Sequence, residues 1–144
     1  MKKLIKRSIV AAEHKKYVEL HLRRNMVSLI IHLIKLLLYP ESQEVNHWRK
    51  EVSNFLYEVP LLKVNNKLPS KEFILENTWE VYSDSIPNYV KFVTKSISEE
   101  PKVVDNDNIY DTLNNYFHRL ANELSVNQIV TRKDIINKLK ELGM

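Results

Sequence analysis

Glycine is nearly absent from this sequence, since Gly143 is the only one in 144 residues. The tight turns and hairpins that join β-strands commonly need glycine, which adopts backbone conformations that other residues avoid. A glycine-rich phosphate-binding loop is excluded for the same reason. The apolar residues repeat at intervals of three and four, as on one face of a helix, rather than at intervals of two. We therefore predict an all-α, bundle-like fold of five to six helices.

The N-terminal segment is the longest one without a helix breaker, because no glycine or proline precedes Pro40. We predict that residues 2–39 form one long helix, or two stacked helices with a break near Arg24. A continuous helix would be roughly 55 Å long, which exceeds the width of a compact domain of this size. Its first half is therefore expected either to project or to pair with another surface.

The last part of this segment, MVSLIIHLIKLLLY (residues 26–39), is apolar except at Ser28, His32 and Lys35. We predict that it forms the centre of the fold. The interruptions belong to a longer series at alternating steps of four and three, which places them on one edge of the helix. The candidate functional residues on this stripe are His21, His32 and Lys35, and the whole stripe comprises His14, Val18, His21, Asn25, Ser28, His32, Lys35 and Tyr39.

Proline residues mark the boundaries of the next helices. The second helix is predicted to begin at residues 40–42 and to run to about Glu58. The third begins after Pro69 with Ser70 as its N-cap, and Pro87 either kinks this helix or lies in the first turn of a fourth. The residues predicted to face the core are Val45, Trp48, Val52, Phe55 and Val59 in the second helix and Leu75, Trp79, Tyr82 and Ile86 in the third.

The polar segment SEEPKVVDNDN (residues 98–108) is the best candidate for a linker, and we expect relative disorder there. A single helical domain spanning residues 1–144 is expected, with a long-helix core in residues 1–98, a linker in 99–108 and a C-terminal helix pair in 109–144. The predicted core residues of the fifth helix are Tyr110, Leu113, Phe117, Leu120 and Leu124.

The last helix carries clear signals at both ends. Thr131 and Asp134 form a capping box in which aspartate replaces the usual glutamate, and Gly143 follows the helix as its C′ residue. The preceding segment 121–126 resembles the start of a helix-turn-helix, with Arg132 and Lys133 on the would-be recognition helix. A plain helix pair is the favoured interpretation, because the turn lacks its usual glycine.

Positive charge is concentrated at the N-terminus. Residues 1–25 have a local excess of six positive charges, whereas the rest of the chain has 14 basic and 16 acidic residues. Such a basic patch either is an ordinary solvated helix face or binds phosphate backbones, acidic proteins or lipid headgroups. Its members are Lys2, Lys3, Lys6, Arg7, Lys15, Lys16, Arg23 and Arg24.

Several classes of protein are disfavoured by the sequence. There is no cysteine, and therefore no disulfide framework or thiolate metal site. The N-terminal apolar stretch is too short for a secretory signal, and residues 26–39 are too few to span a bilayer. We expect a soluble cytoplasmic protein without integral membrane insertion.

The stripe does not predict a metal site or a catalytic group. His14 and His21 are two helical turns apart, too far to share one ion, and the motif from Glu44 to His47 has no second copy. His32 could act as a general acid or base beside Lys35, but no partner nucleophile accompanies it. We favour a His32 that caps or hydrogen-bonds a neighbouring helix and a Lys35 whose stem extends to water. No metal, cofactor or catalytic residue is predicted.

One set of residues resembles a known family. His32 and Lys35, followed by Pro40-Glu41 and by Trp48, are similar to the core signature of the bacterial family called domain of unknown function twenty-nine. The resemblance covers about residues 17–92. It implies an all-helical fold, and it implies no activity because the family has none assigned.

These observations lead to two hypotheses about function. The first is a non-catalytic interaction module, with a protein partner or a homo-oligomer covering the long first helix. The alternative is a nucleic-acid-binding accessory protein that uses the basic N-terminal helix. An enzyme using His32 is disfavoured, because it would need a pocket over the stripe.

Overall fold

The architecture is all-α, as predicted. The computed structural model describes the backbone of residues 2–59, 71–101, 106–126, 128–129 and 131–144, and the side chains of residues 20–59, 72–101, 108–126, 128–129 and 131–144. These residues contain no β-strand. They form α1 (Lys2–Leu38), α2 (Val45–Tyr57), α3 (Lys71–Tyr82), a 3₁₀ turn (Ser83–Ser85), α4 (Ile86–Ser96), α5 (Asn106–Ser125) and α6 (Arg132–Glu141).

The first helix is continuous from Lys2 to Leu38, without the alternative break near Arg24. It ends where the sequence requires, because Pro40 has no N–H group to bond the Leu36 carbonyl. Helices α2, α3 and α4 all pack against it, so that its second half is the centre of the fold. The fully buried side chains of this half include Leu29, Ile30, Leu33, Ile34 and Leu36.

Helix α2 begins three residues later than the latest predicted start. Residues 40–44 form a turn instead, in which the Ser42 hydroxyl accepts the Glu44 N–H at 3.2 Å. Phe55 was predicted to face the core, but it is only partly buried. Leu56, which was not predicted, is fully buried, because α2 contacts both α1 and α6 and its buried face is wider than one stripe.

Pro87 lies in the first turn of α4, which confirms the second of the two interpretations offered for it. A 3₁₀ turn separates this helix from α3, and Ile86 is buried at the junction. Tyr82, which was predicted to face the core, is only partly buried. The predicted N-cap Ser70 lies outside the described residues.

Helix α5 begins at Asn106, inside the predicted linker. Asparagine and aspartate are favoured at helix N-termini, so the polar end of the linker is also a sound helix start. The disorder expected in the linker concerns residues 102–105 among others, and these four residues lie outside the described part of the chain. The core residue at the start of α5 is Ile109, whereas Tyr110, the predicted one, is exposed.

The prediction for α6 is confirmed in detail. The Thr131 hydroxyl accepts the Asp134 N–H, and the Asp134 carboxylate accepts the Thr131 N–H. Gly143 has a φ of 83°, as its position after the helix requires.

The two C-terminal helices pack chiefly on other elements rather than on each other, α5 on α3 and α6 on α2. One ion pair, 2.7 Å from Lys138 Nζ to Glu123 Oε1, joins them directly.

Candidate functional site

The polar stripe of α1 lies at the border of the core. His21, Ser28, His32 and Lys35 are all partly buried, and Tyr39 at its end is buried. The side chains of His14 and Val18 lie outside the described residues. The described part of the stripe is therefore neither fully exposed to solvent nor fully buried. His32 and Lys35 each contact a residue of α2.

His32 forms a hydrogen bond within its own helix, so the prediction that it bonds to a neighbouring helix was wrong. Its Nδ1 atom is 2.7 Å from the backbone oxygen of Ser28. A carbonyl oxygen can only accept, so we assign the proton to Nδ1, and Nε2 is the acceptor of the neutral ring. The ring also contacts Phe55 of α2, with centroids 5.7 Å apart and a 60° angle between the planes.

Burial lowers the pKa of His32 from its ordinary value of 6.5. The nearby charge of Lys35 and the neighbouring His47 lower it further, whereas the hydrogen bond to Ser28 and the carboxylate of Glu51 act in the opposite direction. Desolvation has the largest effect, because a charged imidazolium loses hydration at the α1–α2 border. His32 is therefore neutral at neutral pH.

Lys35 reaches across to the second helix. Its Nζ atom is 5.8 Å from the centre of the Trp48 ring, within the range of a cation–π contact. Trp48 itself is buried and belongs to the α1–α2 interface. Of the other positions that carry the family resemblance, Pro40 is partly buried in the turn between the helices and Glu41 is exposed. Three of the five positions, His32, Lys35 and Trp48, form contacts between α1 and α2.

The described contacts of His32 are with a backbone carbonyl and an aromatic ring. The hydrogen-bond partner of His32 is the Ser28 carbonyl, and no serine hydroxyl of the described residues bonds to its ring. Among the described residues, no three or more histidine and carboxylate side chains come together in a way that could hold a metal ion. Glu44 and His47 are both exposed. Sequence reasoning found His32 and Lys35 but missed Phe55 as the partner of His32, since nothing local marks a contact between two helices.

The end of the basic patch that the structure describes lies outside the core. Arg23 and Arg24 are exposed, and Leu20 one turn earlier is 47% exposed. The first fully described buried side chain of α1 is Met26. The side chains of Lys2, Lys3, Lys6, Arg7, Lys15 and Lys16 lie outside the described residues.

Helix α6, which the helix-turn-helix interpretation makes the recognition helix, contacts the end of α2 through Arg132. Arg132 pairs with Glu58 at 2.7 Å and lies over the ring of Tyr57, 4.2 Å from its centre. These contacts attach the start of α6 to the end of α2. Because they join α6 to α2 rather than to α5, the choice between a helix pair and a helix-turn-helix stays a prediction.

Within the described residues, no helix combines the length and the apolar character that crossing a bilayer requires. Comparisons with protein-family models, with curated proteins and with solved structures found no match to this chain. The resemblance to the family of unknown function therefore stays a prediction.

Proposed function

We propose that this protein is a non-catalytic helical interaction module, and that its contact surface is the N-terminal arm, residues 2–24 of α1. The proposal is supported by where burial begins along this helix. The first buried side chain among the described residues of α1 is Met26, whereas Leu20 is 47% exposed. The helical backbone continues from Leu20 back to Lys2, which is about 27 Å at 1.5 Å per residue.

A helix of this length gains most of its stability from tertiary packing rather than from intrinsic propensity. The arm carries apolar residues at Ala11 and Val18, seven residues apart. Leu22, four residues further on, is partly buried and packs against the core. Leu20 adds a large exposed apolar side chain beside them. A second copy of the chain is the partner that can be tested directly, since its own arm offers the same apolar positions.

The charge of the arm predicts how such an association responds to salt. Two arms with an excess of positive charge repel each other, and salt screens this repulsion. Self-association through the apolar positions should therefore become stronger as the salt concentration rises.

The test is light scattering of the purified protein with two matched variants. Leu20→Gln removes an exposed apolar side chain from the arm, and Phe92→Gln removes one of similar exposure, 56%, from α4. Glutamine is a good helix former, so neither change should melt its helix. We expect Leu20→Gln to lower the fraction of dimer and Phe92→Gln to leave it unchanged. Equal effects of the two variants would contradict the proposal.

The second candidate function, nucleic-acid binding, is favoured by the exposure of Arg23 and Arg24 beside the other basic residues of the arm. Binding through phosphates releases counterions, so the affinity should fall steeply with salt. A duplex of random sequence in a salt titration tests this candidate, and replacement of Lys2, Lys3, Lys6 and Arg7 by glutamate should abolish the binding. The two candidates thus predict salt effects of opposite sign.

A further inference from the structure

A pocket of about 220 Å³ lies between the first turns of α4 and α5. Helix α4 packs chiefly on α1 and α5 packs chiefly on α3, and the pocket occupies the space between the two helices. None of its six described lining residues belongs to the polar stripe or to the N-terminal arm, so neither function proposed above uses it. The lining residues are Ile86, Pro87, Val90 and Lys91 of α4 and Ile109 and Tyr110 of α5.

The walls of this pocket are mostly apolar. Ile86 and Ile109 are buried residues of the hydrophobic core, and Val90 is partly buried. Tyr110 has the spacing of a core residue in α5, yet 37% of its surface is exposed. Pockets that bind small molecules usually have this character, because the ligand gains free energy when it removes apolar surface from water.

Lys91 adds a positive charge to the edge of the pocket. It is the charged residue among the six, and its side chain is exposed. Within the described part of the chain, no carboxylate forms an ion pair with it. A lysine side chain combines an apolar stem with an ammonium group that stays in water. The pocket is therefore complementary to a molecule with an apolar body and a negatively charged head.

The charge and the volume of the pocket limit the chemistry of this molecule. A single ammonium group matches a carboxylate with one negative charge, whereas phosphate groups are typically held by several donors or by an arginine fork. An engineered cavity of about 150 Å³ binds benzene, so a pocket of about 220 Å³ has room for roughly six to nine carbon atoms.

We propose that this pocket binds a small carboxylic acid, whose hydrocarbon part lies against Ile86, Val90 and Ile109 and whose carboxylate pairs with Lys91 at the mouth. The proposal does not depend on self-association or on nucleic-acid binding. Either of those functions can fail while this site is present.

An NMR titration of the isotope-labelled full chain with sodium octanoate tests the proposal, because amide signals report both the affinity and the location of binding. We expect octanoate to shift the signals of Val90, Lys91 and Tyr110. Sodium propanoate keeps the charge but has a short chain, and it should bind about tenfold more weakly or less. Octanol keeps the chain but has no charge, and its affinity should be about two- to fivefold lower.

Two matched variants separate the charge of Lys91 from its stem. Lys91→Met keeps an apolar stem without the ammonium group, so it should weaken octanoate binding about two- to fivefold and leave octanol binding unchanged. Lys95→Met, at an exposed position one turn further along α4 and outside the lining, should leave both affinities unchanged.

A third variant tests the pocket itself. Val90→Phe fills part of the space and should prevent the binding of both octanoate and octanol. Thermal melts establish whether this variant folds, and the comparison of Lys91→Met with Lys95→Met tests the site without it.

Several results would overturn the proposal. A wild-type chain whose signals octanoate does not shift, or shifts only in other helices, would do so, and so would equal effects of Lys91→Met and Lys95→Met. Equal affinities for octanol and octanoate would instead indicate an uncharged occupant, such as an apolar side chain of a protein partner. Shifts of the same amide signals on raising the protein concentration alone would indicate that a second copy of the chain occupies the pocket.

Discussion

The Nδ1 atom of His32 donates a hydrogen bond of 2.7 Å to the carbonyl oxygen of Ser28, one turn earlier in the same helix. This bond gives the most reactive side chain of the polar stripe a structural role. It fixes the ring against Phe55 of α2, and burial there lowers the pKa of the imidazole. The first prediction follows from this lowered pKa.

The stability of the protein should depend on the protonation of His32. Because its pKa in the folded state lies below 6.5, the unfolded chain binds this proton more readily than the folded one. The stability contribution of the neutral ring is fully present above about pH 6.5, and it is lost as the pH falls from there through the folded-state pKa. Across that window, the free energy of unfolding of the wild type should fall more than that of His32→Gln. Parallel pH profiles in urea denaturation would contradict this assignment.

Trp48 should contribute far more to stability than the cationic side chain of Lys35 that lies over its ring. Trp48 is buried between α1 and α2, so Trp48→Ala is expected to lower the free energy of unfolding by about 3–5 kcal/mol. Lys35→Met keeps the apolar stem but loses the contact of Nζ with the ring, and it should cost no more than about 1 kcal/mol. Urea denaturation of the two variants checks the difference. Similar costs for both would mean that the charge of Lys35 is essential to this interface.

The stability of the α3–α5 interface should depend on the side-chain amide of Asn114. The Trp79 ring stacks on Phe117 with centroids 4.2 Å apart, and its indole N–H donates to Asn114 Oδ1 at 2.7 Å. Asn114→Ala leaves this buried donor without its partner, which should cost about 1–3 kcal/mol. The neighbouring exposed residue provides the control, since Asn115→Ala should change the stability by less than about 0.5 kcal/mol. Equal effects in chemical denaturation would argue against the role of this bond.

The capping box of α6 should contribute measurably despite its exposure. Thr131→Ala removes the hydroxyl that accepts the Asp134 N–H, and the expected cost is about 1 kcal/mol. Thr131→Ser keeps the hydroxyl and should recover most of that loss. Thermal unfolding of the two variants provides the measurement, and a Thr131→Ser variant no more stable than Thr131→Ala would disprove the capping role.

The elements predicted correctly are those whose signals are local. Pro87 at the start of α4, the Thr131–Asp134 box and Gly143 after α6 each act within one or two helical turns. The register of the core residues is less certain from sequence. In α5, Ile109 and Tyr110 lie four and three residues before Leu113, and both spacings suit a buried face. How α5 packs against α3 and α4 decides between them.

The site was predictable in its residues but not in its contacts. Steps of three and four placed His32 and Lys35 on one edge of α1, whereas their partners on α2 depend on how two helices pack. Tyr39 is a more extreme case, because it shares the lining of a pocket with Glu99, which lies sixty residues away. No pattern within one helix carries that information.

The most direct test of the interaction module is sedimentation velocity of the wild-type chain and Leu20→Gln at low and high sodium chloride. A monomer has a mass of 17.1 kDa, which separates it clearly from a dimer. We predict that the wild type forms a dimer whose fraction rises with salt, and that Leu20→Gln dissociates it. A wild type that stays monomeric at every concentration and salt level, or a dimer that Leu20→Gln leaves intact, would contradict the account.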